Sequence, residues 1–255
     1  MSLQVYNIII GMFCFAFGAA VGSFLNVVVL RMAKKESFLK GRSYCPVCQK
    51  SLTAKELIPI FSFAVQKGRC RGCKSKISWQ YPILELVTGL SFVFAFCALG
   101  LRPRLAFAFV LFAVLIELSA LDVKTGEIPY HCSIIIAALG LISFIVSLSL
   151  SQNVKLSEHI IGLFIISAPF AVLSFLGAMG GGDVQLMAAA GFLLGWSVVP
   201  SALIGFITGA AAGIIIKLTK KTGVISFGPY LSIGIAISYL YGNEIIESYR
   251  SFLKI

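Results

Sequence analysis

Two aspartates and four cysteines carry the chemistry that this chain advertises. Asp122 closes an apolar stretch in Ala120-Leu121-Asp122-Val123-Lys124-Thr125-Gly126-Glu127-Ile128-Pro129, and Asp183 follows Gly180-Gly181-Gly182. Carboxylates beside membrane-spanning stretches are costly to keep and are functional candidates for that reason. If two of them face each other, one can stay ionised and activate water while the other stays protonated and donates to a scissile carbonyl, as in aspartic proteases. A proton relay in a transporter would need the same residue types. So would plain interfacial residues, with Asp183 capping a helix. Three glycines in a row let the backbone take unusual torsions and approach another segment closely, and they fit poorly in a plain helix. A tight turn is therefore expected at 180–182, with Asp183 opening the helix that follows.

The cysteines form two C-x-x-C knuckles, Cys45-Pro46-Val47-Cys48 and Cys70-Arg71-Gly72-Cys73, with 21 residues between them. Four thiolates in two such turns match a tetrahedral zinc site. Redox dithiols or two disulfides are the competing readings, and a reducing cytoplasmic setting argues against the disulfides. A polar segment of this size has little apolar core, so a metal would supply much of its folding energy. The other three cysteines, Cys14, Cys97 and Cys132, lie in or beside apolar stretches and read as small apolar residues. Glu117, about one turn ahead of Asp122, could tune the aspartate pair or pair with another helix. Glu85 opens an apolar stretch after Tyr81-Pro82. His131 and His159 show no ligand spacing with any partner.

Composition decides what must hold these groups. Of the 255 residues, 58% are hydrophobic and 12% charged, and the mean hydropathy is +0.96. A soluble domain carries about 25% charged residues. Too few polar residues remain to cover a water-facing surface, so the expected fold is an all-α polytopic membrane protein. Eight apolar stretches approach the length of a membrane span, at about 6–30, 81–100, 104–121, 128–150, 159–179, 184–199, 200–217 and 225–242. The sixth and seventh are short and part only around Pro200.

Charge sets the orientation. The chain has a net charge of +11, and residues 31–80 hold 12 basic residues against Glu36 and Glu56. Such a loop could bind nucleic acid, but in a membrane protein it is first a cytoplasmic loop lying near anionic headgroups, and no nucleic-acid partner is expected. No Lys or Arg precedes the first apolar stretch, and Arg31, Lys34 and Lys35 follow it. That is the flank of an uncleaved span with its N-terminus outside. Alternation then puts loops 31–80, 122–127 and 180–183 and the loop of Lys217, Lys220 and Lys221 in the cytoplasm. The C-terminal tail, 243–255, falls outside. Asp122 and Asp183 are separated by two spans and return to the same, cytoplasmic, face.

An ordered series of motifs now resembles a known family. Gly180-x-Gly182-Asp183 is similar to the G-x-G-D motif of membrane aspartic peptidases. Asp122 ahead of Ile128-Pro129, the four-cysteine loop after the first span, and Phe227-Gly228-Pro229-Tyr230 in the last resemble the bacterial type IV prepilin peptidases. So do Gly22-Ser23-Phe24-Leu25-Asn26-Val27-Val28 with Arg31, Arg42-Ser43-x-Cys45-Pro46-x-Cys48, Gly68-Arg69-Cys70-Arg71-x-Cys73, and Ile77-Ser78-Trp79-x-Tyr81-Pro82-x-x-Glu85.

The resemblance implies two activities on prepilin and pseudopilin substrates. One is cleavage on the cytoplasmic side, after the Gly that ends a short basic leader. The other is N-methylation of the new N-terminal residue, often Phe, with S-adenosylmethionine as methyl donor. Asp122 and Asp183 would be the catalytic pair, supported by the loop of Gly180 and Gly182. Cys45, Cys48, Cys70 and Cys73 would hold a structural zinc, and Gly68 would serve methylation. Three parts are then expected: a first transmembrane helix over 1–30, a small zinc-ribbon-like cytoplasmic domain over 31–80, and a membrane peptidase core over 81–255. Where many members carry Trp and Asn before the Ile-Pro of the loop, this chain reads Ala54-Lys55-Glu56-Leu57-Ile58-Pro59. No glycine-rich cofactor loop of the soluble methyltransferase type is present. The alternatives are a G-x-G-D membrane peptidase that lacks methylation and cuts a different membrane substrate, and a transporter with a zinc-bearing regulatory loop.

Overall fold

Apolar sequence becomes helix here because a bilayer offers no water to backbone amides, and a helix satisfies them within one segment. A computed structural model describes residues 3–37, 43–150, 155–219 and 226–253. Arg42, Lys220 and Lys221 lie outside the described residues. Among the described residues there are eight long helices: α1 (Leu3–Ala33), α3 (Gln80–Leu99), α4 (Pro103–Thr125), α5 (Tyr130–Ser149), α6 (Leu156–Phe175), α7 (Gly181–Leu194), α8 (Val198–Thr219) and α9 (Gly228–Leu253). A short helix, α2 (Phe61–Val65), lies in the polar segment, where two isolated antiparallel bridges, Tyr44 with Ser51 and Arg69 with Lys76, replace strands. Among the described residues, six helical stretches are long and apolar enough to cross a membrane, and the sixth, Gly181–Thr219, contains both α7 and α8.

The eight apolar stretches thus become eight long helices with shifted ends. The break between the sixth and seventh is the single turn Gly195–Ser197 and not Pro200. Pro200 sits in the first turn of α8, where its missing N–H costs no hydrogen bond. Of the expected C-terminal tail, residues 243–253 continue α9 as helix.

The chain divides into two compact units, 1–113 and 114–255. In the first, α1 lies against α3 at a seam of small residues, where a methyl group on Gly18 would meet the Thr88 carbonyl at 2.7 Å. Phe92 and Phe109 stack at 4.2 Å, and Asn26 donates from Nδ2 to the Tyr81 carbonyl at 3.1 Å. In the second unit, Leu118, Ile136, Leu186, Met187, Leu231 and Ile235 are fully buried. Outward-facing positions such as Phe175 and Leu218 stay open, as lipid-facing side chains do.

Candidate active site and cysteine cluster

Asp122 and Asp183 belong to the second unit and come from opposite ends of their helices. Asp122 lies in the last turn of α4 and Asp183 in the first turn of α7. Both are buried, 5% and 8% exposed, and they lie within coulombic reach of each other. Two carboxylates so far out of water need a specific reason to remain.

The start of α9 supports Asp122. The Gly228 backbone N–H donates to Asp122 Oδ2 at 2.8 Å, and the Ser226 hydroxyl donates to the Asp122 carbonyl at 3.0 Å. A Cβ at Gly228 would sit 2.7 Å from that carboxylate oxygen, so only glycine lets the helix start come this close. The free N–H groups of a helix N-terminus favour an anion there.

The Gly180–Gly182 run differs from the expected tight turn. Gly180 is the extended N-cap of α7 (φ −75°, ψ 146°), while Gly181 and Gly182 are already helical, and none of the three has positive φ. What requires glycine is space. A Cβ on Gly182 would meet Ile128 Cβ at 2.8 Å, so the α4–α5 turn packs onto the backbone one residue before Asp183.

That turn is held by a group that sequence spacing did not expose. Glu117 Oε1 and His131 Nε2 are 2.8 Å apart, and Cys132 Sγ lies 3.4 Å from the same nitrogen. Glu117 therefore pairs with α5, one of the two roles open to it. His159 instead faces the Phe192 carbonyl through Nδ1 at 2.7 Å.

The four cysteines belong to the first unit, and their sulfurs all lie within 4.8 Å of one another, with Cys45 and Cys73 at 3.9 Å. In a tetrahedral thiolate site with metal–sulfur bonds of about 2.3 Å the sulfurs are roughly 3.8 Å apart, so the group could hold a metal ion. The knuckles repeat one another. The Cys45 and Cys70 carbonyls accept from Gln49 and Lys74, and their N–H groups donate to Lys50 and Ser75. Gln49 and Lys74 both take positive φ, 58° and 61°. The outer pairings, Leu52 to Ser43 and Ile77 to Gly68, also correspond, so Gly68 stands in the second hairpin where Ser43 stands in the first.

The thiols are unevenly poised. The Cys48 backbone N–H draws Cys45 down to about 6. Against the pull of the Lys50 N–H, partial desolvation and the neighbouring thiols hold Cys48 up at about 11. The Ser75 hydroxyl and N–H lower Cys73. Four thiolates this close repel one another, and a cation is what lets all four ionise.

Gly68 takes φ +66°, and a Cβ there would press on the Phe63 ring at 3.2 Å. Phe63 in turn packs on Trp79 with ring centroids 5.0 Å apart. Two acids brace this segment. Glu56 Oε2 accepts from the Thr53 N–H and hydroxyl, both at 2.9 Å, which hold its carboxyl below the usual range. Glu85, buried at the start of α3, accepts the Ile60 N–H at 2.7 Å. Thr53-x-x-Glu56 is a capping-box spacing that could have flagged Glu56, whereas the Glu85 contact joins a side chain to a distant backbone amide and leaves no such trace. Beside Gly68 a cavity of about 630 Å³ is walled by Val65, Gln66, Lys67, Arg69, Arg71 and Lys74. Four cations suit an anionic group and oppose a sulfonium, so this cavity does not fit S-adenosylmethionine.

Helices of spanning length, a buried aspartate pair and a four-thiol hairpin pair define a polytopic membrane protein of aspartic-peptidase type. Residues 16–99 match the Bacterial Peptidase A24 N-terminal domain, and residues 109–217 match the Type IV leader peptidase family. The chain belongs to the type IV leader peptidase family. It is 35% identical over 246 residues to a prepilin leader peptidase/N-methyltransferase of Bacillus subtilis (strain 168), covering 92% of this chain and 96% of that protein. Proteins of the same name from Aeromonas salmonicida (strain A449) and Klebsiella pneumoniae are 34% and 33% identical, over 93% and 78% of this chain and 92% and 91% of theirs. No solved structure matches the chain.

Proposed function

We propose that the protein processes prepilins and pseudopilins in two steps, cleaving the basic leader after its terminal Gly and then N-methylating the new N-terminus with S-adenosylmethionine. The carrying observation is the buried aspartate pair set at two helix ends, with Asp122 anchored by Gly228. Hydrogen bonding from Gly228 favours negative charge on Asp122 and makes it the general base. Asp122 takes a proton from water as the water oxygen attacks the scissile carbonyl, and Asp183 gives its proton to the carbonyl oxygen. Asp122 then returns the proton to the leaving amide nitrogen, the C–N bond breaks, and Asp183 recovers its proton as the carboxyl product forms.

In this reading the enzyme is a multi-pass protein of the inner (cytoplasmic) membrane. Both termini lie outside, and the cysteine loop and both aspartates lie at the cytoplasmic face. A prepilin keeps its basic leader in the cytosol and its apolar segment in the bilayer, so its scissile bond meets the aspartates at that depth. Residues 31–80 form the methylation domain, with zinc on Cys45, Cys48, Cys70 and Cys73 and with Gly68 shaping the second hairpin. Residues 81–255 form the peptidase core. The zinc is structural, since aspartyl hydrolysis takes its water activation from carboxylates. Purified protein incubated with a synthetic prepilin, with and without S-adenosylmethionine, should yield a product shortened by the leader, and one methyl heavier only with the donor. An uncut peptide refutes the proposal, and a cut peptide that never gains a methyl refutes its second half.

A further inference from the structure

We propose that Glu117, His131 and Cys132 form a second metal site, for a divalent transition ion of the zinc class, within the peptidase unit. Three unlike donors converge from two helices, one on α4 and two on the first turn of α5, and their ligand atoms lie within 4.8 Å of one another. Zinc bonds of about 2.0–2.3 Å to nitrogen, oxygen and sulfur place tetrahedral donors roughly 3.5 Å apart. The His131–Cys132 separation of 3.4 Å already meets this, and the Glu117–His131 separation of 2.8 Å needs to open by roughly half an ångström.

Charge favours the same assignment. Carboxylate and thiolate together carry two negative charges, so a divalent ion makes a neutral complex in a place where an isolated charge is expensive. Glu117 is 7% exposed and Cys132 fully buried, whereas His131 is partly open and leaves a route for the ion and a fourth position for water. Imidazole and thiolate select zinc-like ions over magnesium or calcium.

The site also has something to hold. A bound ion ties α4 to α5 across the turn that carries Ile128, the residue packed against Gly182 beside Asp183. The ion is separate from the peptide-cleaving pair and steadies its frame.

The test is metal counting on the full-length protein, dialysed against zinc without chelator. The expected result is about two zinc ions per chain, of which Cys45→Ser removes one and His131→Asn removes the other. His131 is partly exposed, and the helical content of His131→Asn protein by circular dichroism should match wild type. Glu117→Gln should weaken the second ion by about tenfold or more without disturbing the first. Cobalt loaded into Cys45→Ser protein should show the weak charge-transfer band of a single thiolate, lost in His131→Asn. A wild-type chain holding only the ion that Cys45→Ser removes overturns the proposal, as does a His131→Asn chain that keeps both. In either case the Glu117–His131 contact is a hydrogen bond that needs no metal.

Discussion

The Gly228 backbone N–H donates to the Asp122 carboxylate at 2.8 Å across 106 positions of sequence, and a side chain on Gly228 would occupy the space that carboxylate fills. The start of the last helix thus fixes the orientation of an acid on α4.

Gly228→Ala should leave the protein inserted and lower leader cleavage by about 100-fold, since roughly an ångström of displacement at a reacting group costs that much. The effect should fall on kcat rather than KM, read by mass spectrometry of a timed prepilin digest. Unchanged kcat would mean that Asp122 does not depend on this contact.

In the proposed mechanism, Asp122→Asn removes the base and Asp183→Asn the acid. Each should lower cleavage by about 10²–10⁴-fold, the contribution typical of a positioned acid or base. Detergent-solubilised yield and helical content by circular dichroism should match wild type. Full activity in either variant would exclude that residue from the chemistry.

Gly68→Ala forces a residue with a Cβ into left-handed backbone against the Phe63 ring. The local cost is about 1–2 kcal/mol. Methyl incorporation from labelled S-adenosylmethionine should drop while leader cleavage continues, because Gly68 and the aspartates belong to different units. Equal losses of both activities would contradict that separation.

The metal proposed at the four cysteines should be acid-labile. Ligation requires thiolates, so protonation as pH falls releases the ion, and a chelator does the same at neutral pH. Metal released against pH, followed with a colorimetric dye, should show cooperative loss. Cys70→Ser protein should start without this ion, methylate poorly and still cleave.

Much of the frame was legible from hydropathy, because a bilayer imposes one rule on every spanning segment. The helix ends were less so. The α7–α8 break at Gly195–Ser197 carries no proline, and Pro200 attracted the boundary only because its tolerance in a first helical turn does not show in sequence. The two C-x-x-C knuckles were readable since both halves of each lie within four residues. Gly228 against Asp122, Ile128 against Gly182, Glu85 on Ile60 and His131 between Glu117 and Cys132 join distant segments or backbone amides, and spacing along a chain carries no trace of such partners.

Anchoring Asp122 on Gly228 has a consequence for synthesis. A ribosome completes both acids long before it reaches the residues that orient the first of them, so the growing chain passes through the translocon with an unfinished pair. On the proposed mechanism, proteolytic competence would begin only when α9 is released and seated.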